Sequence, residues 1–169
     1  RSGVRLRFTH NMLREAVYGG ISRSRKRILH RKVAGAIEAA HPNKLDEHTF
    51  VLAHHYAAAG DLAKCAKYFL QAGRKALGSL ALDEAGYFYR SALESLRKLE
   101  PSPENLSLEE EVLLALGSVD FNLGEWDRAL AEFREVGDLG KEWGNERMGA
   151  LSHLRIGEIY EKRTEWKDA

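Results

Sequence analysis

The chain has 169 residues, 44% hydrophobic and 30% charged, the balance of a soluble globular protein long enough to bury a core. No apolar run approaches the ~18 residues a membrane span needs, and the single cysteine, Cys65, excludes an internal disulfide framework and fits a reducing, cytoplasmic setting. A net charge of +1 conceals a strong polarity: residues 1–44 carry eleven Lys or Arg against Glu15 and Glu38, a local +9, which leaves 15 basic and 23 acidic groups, or −8, for the remainder.

The start, Arg1-Ser2-Gly3-Val4, has neither a methionine nor a signal-peptide core, the pattern expected of a piece excised from a longer polypeptide. Residues 4–8 alternate with period two and form the one strand candidate, a remnant of a preceding domain. Helices are predicted over 11–20, 23–40 and 45–59. On the second of these Leu29, Val33, Ile37 and Ala40 face inward, with Arg27 and Arg31 opposite and Arg23 nearby. From Leu62 the apolar positions 62, 66, 69, 70, 73, 76, 77 and 80 trace one buried stripe, counting Gly73 among them, and the rhythm returns from Ala85 and from Trp126. Asp61, Asp83 and Asp127 stand where a carboxylate favours a helix start. Pro101 and Pro103 mark a break, and Ser107 with Glu110 has the form of a capping box opening a helix that runs to Asn122. Gly60 and Gly124 fit left-handed helix ends. A last helix over 146–163 brings the number to eight, an all-α chain.

EWDRA at 125–129 returns as EWKDA at 165–169, and aligning the two words places Leu116 and Gly117 on Ile156 and Gly157, and Gly124 on Thr164, forty residues apart. Leu116, Gly117, Gly124, Ala129 and Phe133 resemble the signature of the tetratricopeptide repeat, with Asp120 in place of its aromatic. Leu52, Ala53, Tyr56, Gly60, Cys65, Phe69 and Ala72 form an earlier copy, and Ala85, Tyr89 and Ala92 repeat the second-helix half alone. The resemblance implies antiparallel helix pairs, closely packed at the small residues, stacked as a right-handed solenoid. EWKDA would open a second helix that is cut short, leaving an exposed repeat edge through which copies could pair.

Phe8, His10, Arg14, Glu15, Ala16, Val17 and Tyr18, followed by Arg27, Leu29, His30, Ala34, Ile37 and Glu38, resemble a run of bacterial signal-transduction ATPases related to class III nucleotidyl cyclases and LuxR-type regulators. There it closes the module behind an AAA-like nucleotide-binding domain. The resemblance implies that residues 1–43 end a winged-helix or ATPase-associated module with a basic linker helix, and that residues 44–169 are truncated repeats. The chain would then be an arm of an ATP-driven switch.

No phosphate-cradling G-x-x-x-x-G-K-[ST] occurs, so ATP hydrolysis, a cofactor and enzymatic activity are not expected. His54 and His55 project about 100° apart on a helix, and His48 shares a face with His55 without a completing ligand, so no metal is expected either. Cys65 fills a slot that must be small, where burial makes a thiol inert.

The expected role is a non-enzymatic interaction scaffold for a protein, a peptide or the parent's own ATPase module. By analogy with the repeat family its concave face carries Glu111, Leu114, Ser118, Phe121 and Asn122, then Leu151, Leu154, Glu158, Glu161 and Lys162. Phe121 is either an exposed anchor or the replacement for the aromatic missing at 120. The alternative is a nucleic-acid segment through the basic helix 23–32, with Arg23, Arg27 and Arg31 on phosphates.

Overall fold

The computed structural model describes residues 11–167, with side chains from 15 to 164. Among them are eight α-helices and no strand: α1 (Asn11–Gly19), α2 (Arg23–Ala40), α3 (Thr49–Ala59), α4 (Leu62–Gly78), α5 (Leu82–Leu96), α6 (Pro103–Asn122), α7 (Trp126–Trp143) and α8 (Glu146–Lys167). The strand candidate at 4–8 lies outside the described residues. None of these helices is long and apolar enough to cross a membrane.

Local chemistry sets most boundaries. The Asp61 carboxylate caps α4, accepting from the Lys64 N–H at 3.3 Å. Gly60 and Gly124 end α3 and α6 at φ of 71° and 77°, which a side chain would oppose. The start of α6 lies earlier than Ser107. Ser102 Oγ accepts from the Asn105 N–H at 3.1 Å, and Pro103 follows it in the first turn, where its missing N–H costs nothing and its fixed φ is already helical. A second correction falls at the far end, where α8 continues to Lys167 and EWKDA opens no new helix among the described residues. Where Gly124 turns the chain, the β-branched Thr164 stays helical and donates its hydroxyl to the carbonyls of Tyr160 and Glu161, at 3.2 and 2.7 Å.

Each helix from α2 onward packs on the next in sequence. The core therefore runs as a line from Ala34 on α2 to Met148 on α8, with a second cluster of Ala129, Leu130, Phe133 and Ile159 at the α7–α8 end. Small residues permit the close approaches. A Cβ on Gly73 of α4 would stand 2.6 Å from Tyr89 Cε1 of α5, and one on Gly117 of α6 would stand 2.5 Å from Phe133 Cε1 of α7. Cys65 and Ala129 are buried in the same manner.

Further links skip a helix. Tyr68 of α4 donates to Glu38 of α2 at 2.6 Å, Arg74 of α4 pairs with Glu111 of α6, and Arg147 of α8 donates to Glu110 of α6 at 2.6 Å. On the other side the rings of Phe50 on α3 and Phe88 on α5 lie 5.7 Å apart, and Arg97, the C-cap of α5, pairs with Glu135 of α7. The bonds thus join α2, α4, α6 and α8 in one row and α3, α5 and α7 in another.

Candidate interaction surface

Lys64, Lys67, Gln71 and Arg74 follow one another at helical spacing and occupy one face of α4. Glu104, Asn105 and Leu108 of α6 oppose them across a groove of about 410 Å³ floored by Leu70, Leu96 and Leu99. The size and the mixed lining suit an inserted side chain or a short segment. Two of its cations are already oriented: Lys64 donates to Glu38 Oε2 at 3.1 Å and to the Tyr56 hydroxyl at 2.8 Å, and Arg74 pairs with Glu111. Lys67 is exposed and has no ion pair among the described residues.

The joint beside the groove is polar and ordered. The Tyr56 and Tyr68 rings stack at 5.7 Å. Burial works against the Glu38 carboxylate, but hydrogen bonds from Tyr68, Tyr56 and Lys64 hold it below its ordinary pKa. Burial, followed by the bond to Glu38, pushes the Tyr68 phenol up.

The residues expected on the concave face are placed unevenly. Glu111 stands at the groove beside Arg74, and Leu114 is half-buried against both core clusters. Ser118 Oγ donates to the Leu114 carbonyl at 2.8 Å, and the exposed Asn122 donates to the Ser118 carbonyl, also at 2.8 Å. Phe121 is half-buried against the cluster containing Phe133 and Ile159. On α8, Leu151 is half-buried, Leu154 is 59% exposed, Glu158 accepts from Arg155 at 2.9 Å, and Glu161 and Lys162 are exposed.

The basic helix is turned differently from the expectation. Leu29 and Val33 are each 42% exposed and Ala40 is exposed, while Ala34, Ile37 and His30 face α3. Arg27 does not stand on the outer side: its Nε donates to the Ala59 carbonyl at 3.1 Å, so the guanidinium caps the C-terminus of α3. Arg23 and Arg31 remain exposed.

His30 gathers the paired histidines, with ring centroids 6.3 Å from His54 and 5.0 Å from His55. His30 Nδ1 and His55 Nδ1, 2.8 Å apart, share one hydrogen bond, and the Tyr18 hydroxyl meets His30 Nε2 at 2.7 Å. Burial, then the neighbouring imidazoles, hold both His30 and His55 below their ordinary pKa. His48 instead packs against His41, with ring centroids 4.5 Å apart and the planes tilted by 40°. Among the described residues no group of three His, Cys, Asp or Glu is placed to hold a metal ion. Burial pushes the Cys65 thiol up, and its Sγ lies 3.3 Å from Ser95 Oγ.

Two features escape sequence reasoning. Asp120 is fully buried and takes Arg90 in a two-oxygen pair at 2.8 and 3.1 Å. Beside it Glu132, whose buried Oε2 has no hydrogen-bond partner among the described residues, is raised by burial and then by the Asp120 charge to a pKa of about 7. The second feature is a groove of about 340 Å³ between α3 and α5, walled by Phe50, Val51 and Phe88 over Ala72 and Ala76 of α4. Asp120 as an odd residue in an aromatic slot was the signal for the first; the second left none.

No family model matches the chain, and no solved structure does. An uncharacterized protein of Rhizobium meliloti (strain 1021) is 27% identical over 112 residues, 66% of this chain, and the matched stretch is 11% of that protein's length.

Proposed function

We propose that the chain is a non-enzymatic interaction module of tetratricopeptide kind, an antiparallel right-handed solenoid that serves as an arm of a larger signalling ATPase or transcription regulator. The observation that carries the reading is the pairing of a glycine with an aromatic sixteen residues on, Gly73 with Tyr89 and Gly117 with Phe133, where α4 meets α5 and α6 meets α7. On this reading α4 and α6 are the first helices of successive pairs, rather than α4 a second helix, and the α4–α6 groove is the surface offered to a protein or peptide partner. A photo-crosslinking residue placed at position 67 of the parent protein is expected to capture the partner, and one at position 138 on α7 is not. Capture at 138 with none at 67 would refute the assignment of the face.

A second reading rests on Arg23, Arg25, Arg31 and Lys32, which are exposed and have no ion pair among the described residues. Such a face could hold nucleic-acid phosphates. Fluorescence anisotropy with duplex DNA across a salt series tests it; affinity that falls steeply with salt and is lost on Arg23→Glu with Arg31→Glu would establish that reading.

A further inference from the structure

Two exposed surfaces on the α2–α5 part of the molecule are chemically complementary. On α2, Ile28, Leu29 and Val33 are 57%, 42% and 42% exposed. Arg25 and Lys32, four residues before and three after Leu29, share its face and are exposed. No acidic residue occurs between Glu15 and Glu38, so nothing on α2 itself offsets these cations before its last turn.

The groove between α3 and α5 is the counterpart. Phe50 and Val51 in its walls are 50% and 41% exposed, and Tyr87, next to Phe88, is 57% exposed. Its rings form a continuous set, with Phe88 5.7 Å from Phe50 and 5.5 Å from Tyr87. Glu47 and Glu84 line it, and Asp83 adjoins them in the first turn of α5. Lys75, the cation in its lining, is held against the Asp46 carbonyl at 3.1 Å. Exposed rings and aliphatic side chains gathered at a groove and rimmed by charge have the make-up of an interaction site.

We propose that the occupant is a second copy of this chain: the Leu29 edge of α2 seats in the α3–α5 groove of the partner copy, with Arg25 and Lys32 facing Asp83 and Glu84. The polarity of the sequence, +9 before residue 45 and −8 after it, supplies the complementarity between copies. Because one chain carries both surfaces, the Leu29 edge on α2 and the groove on α3 and α5, a twofold arrangement pairs each with its counterpart on the other copy. The inference is independent of what occupies the α4–α6 groove.

Sedimentation velocity over a concentration series tests it, in about 50 mM and about 500 mM salt. Dimers at low salt that dissociate at high salt are expected. Arg25→Glu with Lys32→Glu, and separately Asp83→Lys with Glu84→Lys, should each weaken dimerisation about tenfold. An equimolar mixture of the two variants should restore it, since each then offers the charge the other lacks; this rescue also guards against misfolding of either variant. A monomer at every concentration, or a dimer indifferent to both pairs of changes, overturns the proposal. So does a mixture that fails to recover although both variants keep the helical circular dichroism of the parent chain. Binding of the monomer to anionic vesicles or duplex DNA, lost with Arg25→Glu and Lys32→Glu, would assign the α2 face to that surface instead.

Discussion

Glu132→Gln removes a carboxyl group whose neutral form the fold favours. Its pKa rises from 4.5 to about 7 because burial disfavours the charge and the neighbouring Asp120 carboxylate repels it. A raised acid binds its proton more tightly in the folded chain. The contribution is therefore fully present below 4.5 and is lost as pH rises through about 7. At about 1.36 kcal/mol for each pH unit, the gap sets a ceiling of roughly 3.4 kcal/mol; Glu132 is only half shielded from water, which reduces the expected effect to about 1–1.5 kcal/mol. Gln is neutral at every pH and keeps the shape, so the variant should match the parent chain at pH 5 and melt about 3–5 °C higher at pH 8. Thermal unfolding followed by circular dichroism at each pH measures the difference, from which the other titrating groups cancel. A gap that stays constant between pH 5 and 8, or a variant less stable at pH 8, would refute the reasoning.

The forty-residue alignment equates Gly117 with Gly157, but only the first lies under an aromatic ring. Gly117→Ala should cost about 1–3 kcal/mol in urea unfolding, and Gly157→Ala, with nothing within 4 Å of the new methyl, should gain about 0.5–1 kcal/mol. Leu80 adopts φ of 59° between α4 and α5 with 81% of its surface exposed. Leu80→Gly should raise stability by about 0.5–1 kcal/mol by the same assay, since the left-handed penalty exceeds the added chain entropy. His30 and His55 are depressed below their ordinary value of 6.5, so the stability of the α2–α3 joint is present above 6.5 and lost as pH falls through the folded values. His55→Gln should be about 1 kcal/mol less stable than the parent chain at pH 7.5, with the difference closing toward pH 5 in thermal melts.

The helices were legible because their signals are local. Asp61 reaches only to Lys64, and Gly60 and Gly124 act on their own backbone torsions. Ser107 misled because Ser102 and Pro103 form a stronger start five residues earlier, one that a reading of proline as a breaker discards. The pairing of α4 with α5 was hidden for a related reason: with α4 already assigned as a second helix, Gly73 counted as one more small residue in a stripe rather than the seat of Tyr89. What Arg27 and Asp120 bind was beyond reach. Their partners, Ala59 and Arg90, stand about thirty residues away, and no periodicity reports which charge a folded chain will bring to a given carbonyl or carboxylate.

The links that skip a helix have a mechanical consequence. Every side-chain bond named above closes within 38 residues of sequence, so tension applied between the two ends is borne joint by joint and never by the whole core together. Such a chain yields like a spring, extending in small steps and recoiling from whichever joints remain closed. A chain so linked can pass a pull from one end to the other while most of its length stays folded.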